Sequence, residues 1–128
     1  MDLLVDTRLL LWAAGDTRKL SADSKALLQD EANTLWFSAA SLWELTIKAG
    51  LGRADFVVDP HILRRGLLDN DWKELAITSA HVIATGALPA LHKDPFDRVL
   101  LAQAAQDGLL LVTTDAVLAQ YPGPVRRV

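Results

Sequence analysis

Three short runs constrain this chain more than anything else in it: DLLVD at 2–6, TLWF at 34–37 and LLLVT at 109–113. Each is four or five residues long and apolar almost without a break. A strand with one face in water alternates polar and apolar residues, whereas a strand covered on both faces does not. Helical spacing of apolar residues fills the stretches between the runs. Strands and helices alternating in this way predict an α/β fold with a parallel sheet flanked by helices on both faces.

The ends of the predicted helices are marked locally. A helix over 7–14 stops at Gly15, and Ser21 caps a second over 22–32, with Ala26, Leu27 and Leu28 on its buried side. A long helix over 39–51 closes at Gly52. Asp59-Pro60 opens another through residue 68, with proline at the first helical position. A short strand at 74–77, a helix over 79–88, a short helix over 115–119 and an edge strand at 124–128 complete the pattern. Repeats, low-complexity tracts and linkers are absent, so 1–128 is read as one domain.

Composition removes several chemistries. There is no cysteine, which excludes disulfides, thiolate metal sites and a cysteine nucleophile. With 51% hydrophobic and 23% charged residues the chain is not a disordered one. The N-terminal MDLLVDTRLLLW reads as a buried strand rather than a signal peptide, and no apolar run is long enough to span a bilayer. A soluble, intracellular protein is expected. His61, His81 and His92 are scattered without metal-ligand spacing, and His92 reads as a loop histidine. A net charge of −3 and a pI near 5.5 argue against a large phosphate-neutralising surface. They leave room for a small site that takes metal and phosphate together.

The acids fall in a pattern. Ligands of open parallel sheets bind outside the carboxyl ends of the strands. Asp6 ends the first predicted strand, and Asp115 lies just past LLLVT. Asp94 and Asp97 open the helix in HKDPFDRVLLAQA (92–104), and Glu44 lies in the helix after TLWF. Each has a local explanation. Asp6 and Asp115 serve as N-caps, each worth about 1 kcal/mol. Asp94 caps with Pro95 behind it and Asp97 at the third helical position. Glu44 either completes a capping box begun by Ser41 or, if Ser38 caps, lies past the first turn and pairs with Lys48.

Together the acids ask for more. Two carboxylates about 5 Å apart repel by roughly 3 kcal/mol at an effective dielectric near 20. Several on one edge require a cation or raised pKa values, even with Arg8, Lys48 and Arg98 nearby. Oxygen donors without sulfur or imidazole suit Mg²⁺ or Mn²⁺, and the matching chemistry is phosphodiester hydrolysis by metal-activated water.

Asp6 after strand one, SAASLWELTIKAGLGR (38–53), HKDPFDRVLLAQA and LLLVTTD (109–115) resemble, in this order, the PIN-domain ribonucleases. More narrowly they resemble the VapC toxins of toxin–antitoxin pairs. The resemblance covers essentially the whole chain, and WELxIKxGLGR together with DPFDR is its most specific part. It implies a single PIN domain over 1–128 with a Rossmann-like parallel sheet, acting as a Mg²⁺- or Mn²⁺-dependent endoribonuclease. Asp6, Glu44 and Asp97 match the family's catalytic metal-binding acids, and Asp115 its more variable fourth, which would hold a second ion, if there is one, or orient the water. Asp97 is preferred to Asp94 because the family's acid directly precedes the helical run. Asp94 keeps a capping and supporting role. Thr7, Thr113, Lys48 and Arg98 are candidates for supporting the site or binding substrate.

The resemblance further implies an RNA substrate, a homodimer and a cognate VapB-type antitoxin that covers the acidic site. Toxin and antitoxin would form a hetero-oligomer, touching DNA only through the antitoxin, in the cytoplasm and away from membranes. Trp12 and Trp43 lie on helices that contribute to antitoxin and dimer contacts in that family. A PIN-like module that binds a protein or RNA without cleaving is the alternative, and the presence of all four acids weighs against it.

Overall fold

The structure is a computed structural model that describes residues 1–52 and 58–128. Its first strand, β1 (Asp2–Val5), sends Leu3 and Val5 into one apolar cluster and Leu4 into another. Leu3, Val5, Phe37 and Val112 pack with Leu9, Leu10 and Leu67 on one face of the sheet. Leu4 and Leu111 pack with Ala40, Leu100, Leu101, Ala104, Leu118 and Tyr121 on the other. Burial on both faces is the physical reason that β1 and the LLLVT run lack alternation.

Five parallel strands form the sheet: β1, β2 (Thr34–Ser38), β3 (Lys73–Leu75), β4 (Leu110–Thr113) and β5 (Val125–Arg127). Their order is β3-β2-β1-β4-β5, with Leu3 opposite Leu35 on one side and Leu110 on the other. The chain builds outward from β1 to β3, then returns to β1's free edge to lay down β4. The switch point is therefore between β1 and β4, where ligand crevices open in such sheets. Six helices cover the faces: α1 (Thr7–Ala14), α2 (Ala22–Gln29), α3 (Ala39–Gly50), α4 (Pro60–Asp69), α5 (Ser79–Ala84) and α6 (Pro95–Asp107). Gly108 ends α6 with φ 70°, a left-handed conformation that suits glycine. No helix among the described residues is long and apolar enough to cross a membrane.

The alternating parallel α/β arrangement agrees with the expectation, while several boundaries differ. The second helix stops at Gln29 rather than 32, because Asp30 takes the Ala32 amide with its carboxylate and the Asn33 amide with its carbonyl. The strand expected at 74–77 spans Lys73–Leu75, and the Ala76 carbonyl just beyond it bonds a side chain. The helix expected over 79–88 breaks after Ala84 into a tight 3₁₀ turn. An α-helix over 115–119 does not form. Asp115 instead accepts from the Val117 and Leu118 amides, and a 3₁₀ turn follows at Leu118–Gln120. Arg53, the last residue of the 38–53 run, lies outside the described residues.

One buried polar bridge ties the sheet to α6. Ser38 donates to the Gln103 side-chain oxygen at 2.6 Å, and the Gln103 amide donates to the Ala76 carbonyl at 3.3 Å. Both side chains are fully buried. Gln103→Leu strands the Ser38 hydroxyl and the Ala76 carbonyl, so a loss of about 1–3 kcal/mol is expected. Urea unfolding checks this: the midpoint should fall at unchanged slope, and an unshifted midpoint would deny the bridge any net stabilising role.

Candidate active site

Asp6 stands at the switch point. Its amide continues the ladder to the Val112 carbonyl, and its side chain turns to cap α1 by accepting from the Leu9 amide at 2.9 Å. The second carboxylate oxygen accepts from the Thr113 hydroxyl at 2.5 Å. Thr113 ends β4, and its hydroxyl also accepts from the Asp115 amide at 3.0 Å. One buried hydroxyl thus links two of the acids. Burial pushes the Asp6 carboxyl above its ordinary range, against the Thr113 hydroxyl, the Leu9 and Thr114 amides and the Arg8 charge.

Glu44 comes from α3. The Ser38 hydroxyl accepts from the Ala40 amide and caps this helix, so the capping-box alternative from Ser41 does not hold. Ser41 lies inside the helix and accepts from the Thr7 hydroxyl at 2.9 Å. Thr7 therefore lines the cleft but spends its hydroxyl hydrogen on joining α1 to α3. Glu44 is buried past the first turn, and Lys48, half-exposed, sits 2.7 Å from it. Trp43 beside it is 59% exposed, not a core residue, and meets Phe96 edge-on at 5.1 Å.

Asp94 caps α6 through the Phe96 amide, as Pro95 at the first helical position suggested. The second half of a capping box is missing because the Asp94 amide donates to His92 Nδ1 instead. That leaves the Asp97 carboxylate facing the cleft, 3.2 Å from His92 Nε2. The Asp97 carboxyl is raised to about 7 by burial first and then by the Asp94 charge, with Glu44 and Asp6 adding and His92 opposing. Burial also raises Asp115, but the Leu118 amide, the His92 side chain and the Val117 amide outweigh it and hold this carboxyl below the usual range.

Asp6, Glu44, Asp97 and Asp115 line one open cleft of about 230 Å³, with Asp94, Thr7, Arg8, Lys48 and His92 also on its wall. Arg98 needs correction as a substrate contact. Its guanidinium donates to the carbonyls of Thr85, Leu88, Pro89 and His92 and to the Tyr121 hydroxyl, and it secures the 85–92 connection rather than reaching the cleft. His92 was missed as part of the site. Its Nε2 lies 3.1 Å from the Asp115 carboxylate as well as near Asp97. Its bond to the amide two residues on was accessible from the spacing; its meeting with Asp115 across 23 residues was not.

The donor set fits a hard divalent cation. Four carboxylates converge while two of them hold protons more tightly than isolated carboxyls, Asp6 through burial and Asp97 through burial together with neighbouring negative charge.

Residues 3–124 match the family model described as the PIN domain. No curated protein matches the chain in sequence. Among solved structures, the fold is similar to a chain of VapBC2 from Rickettsia felis bound to a promoter DNA fragment. The TM-score is 0.71 at 15% identity, covering 99% of this chain and 98% of that one. DNA-bound VapBC from Salmonella typhimurium gives 0.67 at 16%, covering 99% and 98%, and FitAcB from Neisseria gonorrhoeae gives 0.63 at 16%, covering 91% and 89%.

The Asp97 carboxyl binds its proton more tightly in the folded protein than in the unfolded chain. Without metal, its contribution to stability should therefore fall as pH rises from the ordinary 3.8 through about 7. Thermal unfolding in EDTA tests this with Asp97→Asn. The melting temperature of the variant minus that of the wild type should climb across this window and level off above it. A difference that stays flat across this window would place Asp97 in the ordinary carboxyl range.

Proposed function

The chain belongs to the PIN-domain family, and from that footing we propose that it is a VapC-type toxin: a Mg²⁺- or Mn²⁺-dependent endoribonuclease restrained by a cognate VapB-type antitoxin. The observation that carries the reading is the convergence of Asp6, Glu44, Asp97 and Asp115 on one cleft at the switch point. They arrive from four separate segments, so no single local rule accounts for their meeting.

In this reading Asp6, Glu44 and Asp97 hold the divalent ion. When bound, the ion supplies positive charge that neutralises a phosphodiester and acidifies water. Asp115 orients the attacking water, in line with the bond to be broken. The water gives up a proton as its oxygen bonds to phosphorus, the P–O3′ bond breaks, and the leaving O3′ takes up a proton from solvent, so the products are a 5′-phosphate and a 3′-hydroxyl with no covalent enzyme intermediate. Thr113 keeps the Asp6 carboxylate aimed through its hydrogen bond, and Lys48 balances Glu44 at the cleft wall.

The partner follows from the same charge pattern. An acidic cleft on a chain of net charge −3 suits an antitoxin segment that brings a basic side chain, and DNA binding then belongs to the antitoxin. The VapBC likeness supports that pairing, and a homodimer and a cytoplasmic setting belong to the same proposal through the VapC resemblance alone.

Purified protein with total RNA and Mg²⁺ tests the activity. Cleavage should be abolished by EDTA, and Asp6→Asn and Asp97→Asn should each lower it by at least about 100-fold, since lesser changes around metal ligands already reach that scale. Equal cleavage by all three proteins would indicate a contaminating nuclease. Folded protein that neither cleaves nor binds Mn²⁺ would favour a binding module without catalysis.

A further inference from the structure

His92 performs opposite tasks with its two ring nitrogens. Nδ1 accepts from the Asp94 amide at 3.0 Å, so the ring hydrogen sits on Nε2. That Nε2–H donates to an Asp115 oxygen at 3.1 Å, and an Asp97 oxygen lies 3.2 Å from the same nitrogen. The three atoms lie within 4.8 Å of one another, a spacing on which a bridging cation could be built. A metal ligand nitrogen, however, offers a lone pair at about 2.0–2.1 Å, and Nε2 offers a hydrogen there. The backbone holding the ring is itself tied down. The His92 amide donates to the Tyr121 hydroxyl at 2.7 Å, and its carbonyl accepts from Arg98.

Asp115 is committed in the same way. One oxygen accepts from the Val117 and Leu118 amides, and the other faces His92. Asp97 has only one oxygen turned to the imidazole, which leaves the other for the Asp6 and Glu44 side of the cleft.

We infer that His92 limits the cleft to a single divalent ion, its Nε2–H occupying the position from which a second ion would bridge Asp97 and Asp115. The inference rests on the metal-dependent reading above and sharpens it. Asp115 then acts by hydrogen bonding and orientation, and His92 is a positioning residue for two carboxylates.

The stoichiometry of Mn²⁺ binding to the full chain, by calorimetry and electron paramagnetic resonance, tests this. Wild type should take one ion. His92→Asn keeps an acceptor for the Asp94 amide but cannot reach the carboxylates, so it should take two, with the broadened spectrum of coupled ions about 3.5–4 Å apart. His92→Gln carries an amide N–H to the former Nε2 position and should return the count to one. Two ions in wild type, or one in His92→Asn, would overturn the inference while leaving metal dependence intact. No binding by folded wild type would sink the metal-dependent reading itself and this inference with it. Should His92→Asn not fold, Asp115→Asn decides: one ion retained supports the inference, and loss of the ion overturns it.

Discussion

Between β1 and β4 the direction in which strands are added reverses, and the acid-lined cleft of this protein lies at the gap that the reversal opens. Two helices, α1 and α6, start beside that gap with their backbone N–H groups toward it. Those amides, with the Thr113 hydroxyl, allow aspartates to be buried there at all. An unpaired buried carboxylate would simply take up a proton. Asp6 has both oxygens hydrogen-bonded, and its cap, its ladder bond and its link to β4 are properties of one residue at one place.

Asp97 and Asp115 are placed very differently. Among the described residues Asp97 receives no backbone amide; it sits partly out of water and feels Asp94, Glu44 and Asp6, so its carboxyl is raised to about 7. Asp115 is at the opposite extreme, with two amides and an imidazole around it. A site that pairs an acid well bonded by the protein with one held less well would gain from positive charge beside the second. Arg98 does not supply it. Its guanidinium is consumed in organising the 85–92 connection, which in turn sets where His92 stands.

Local signals proved sufficient where the bonding partner is a near neighbour in the chain. Ser21 and Asp94 cap their helices, Asp59-Pro60 starts α4, and the spacing of Glu44 and Lys48 yields an ion pair. They misled where the partner was remote or the competition was close. The Ser41 capping box lost to Ser38, and the carbonyl of Ala76 left the predicted strand for Gln103 on α6. Arg98 next to Asp97 looked like a phosphate contact because adjacency in sequence says nothing of side-chain direction on a helix. Trp43, on the helix that carries Glu44, is largely in solvent.

The sequence by itself determined the layer architecture and the identity of the acids. Unbroken apolar strands can only be buried on both faces, and the motif order carried the family with it. Tertiary structure alone decided how the acids are held. The bonds that matter most run from Thr113 to Asp6 over 107 residues and from His92 to Asp115 over 23. Such pairings have no local propensity behind them. They arise because strand order and helix entry bring those ends to one edge, where hydrogen-bond geometry over the last few ångströms selects the partner.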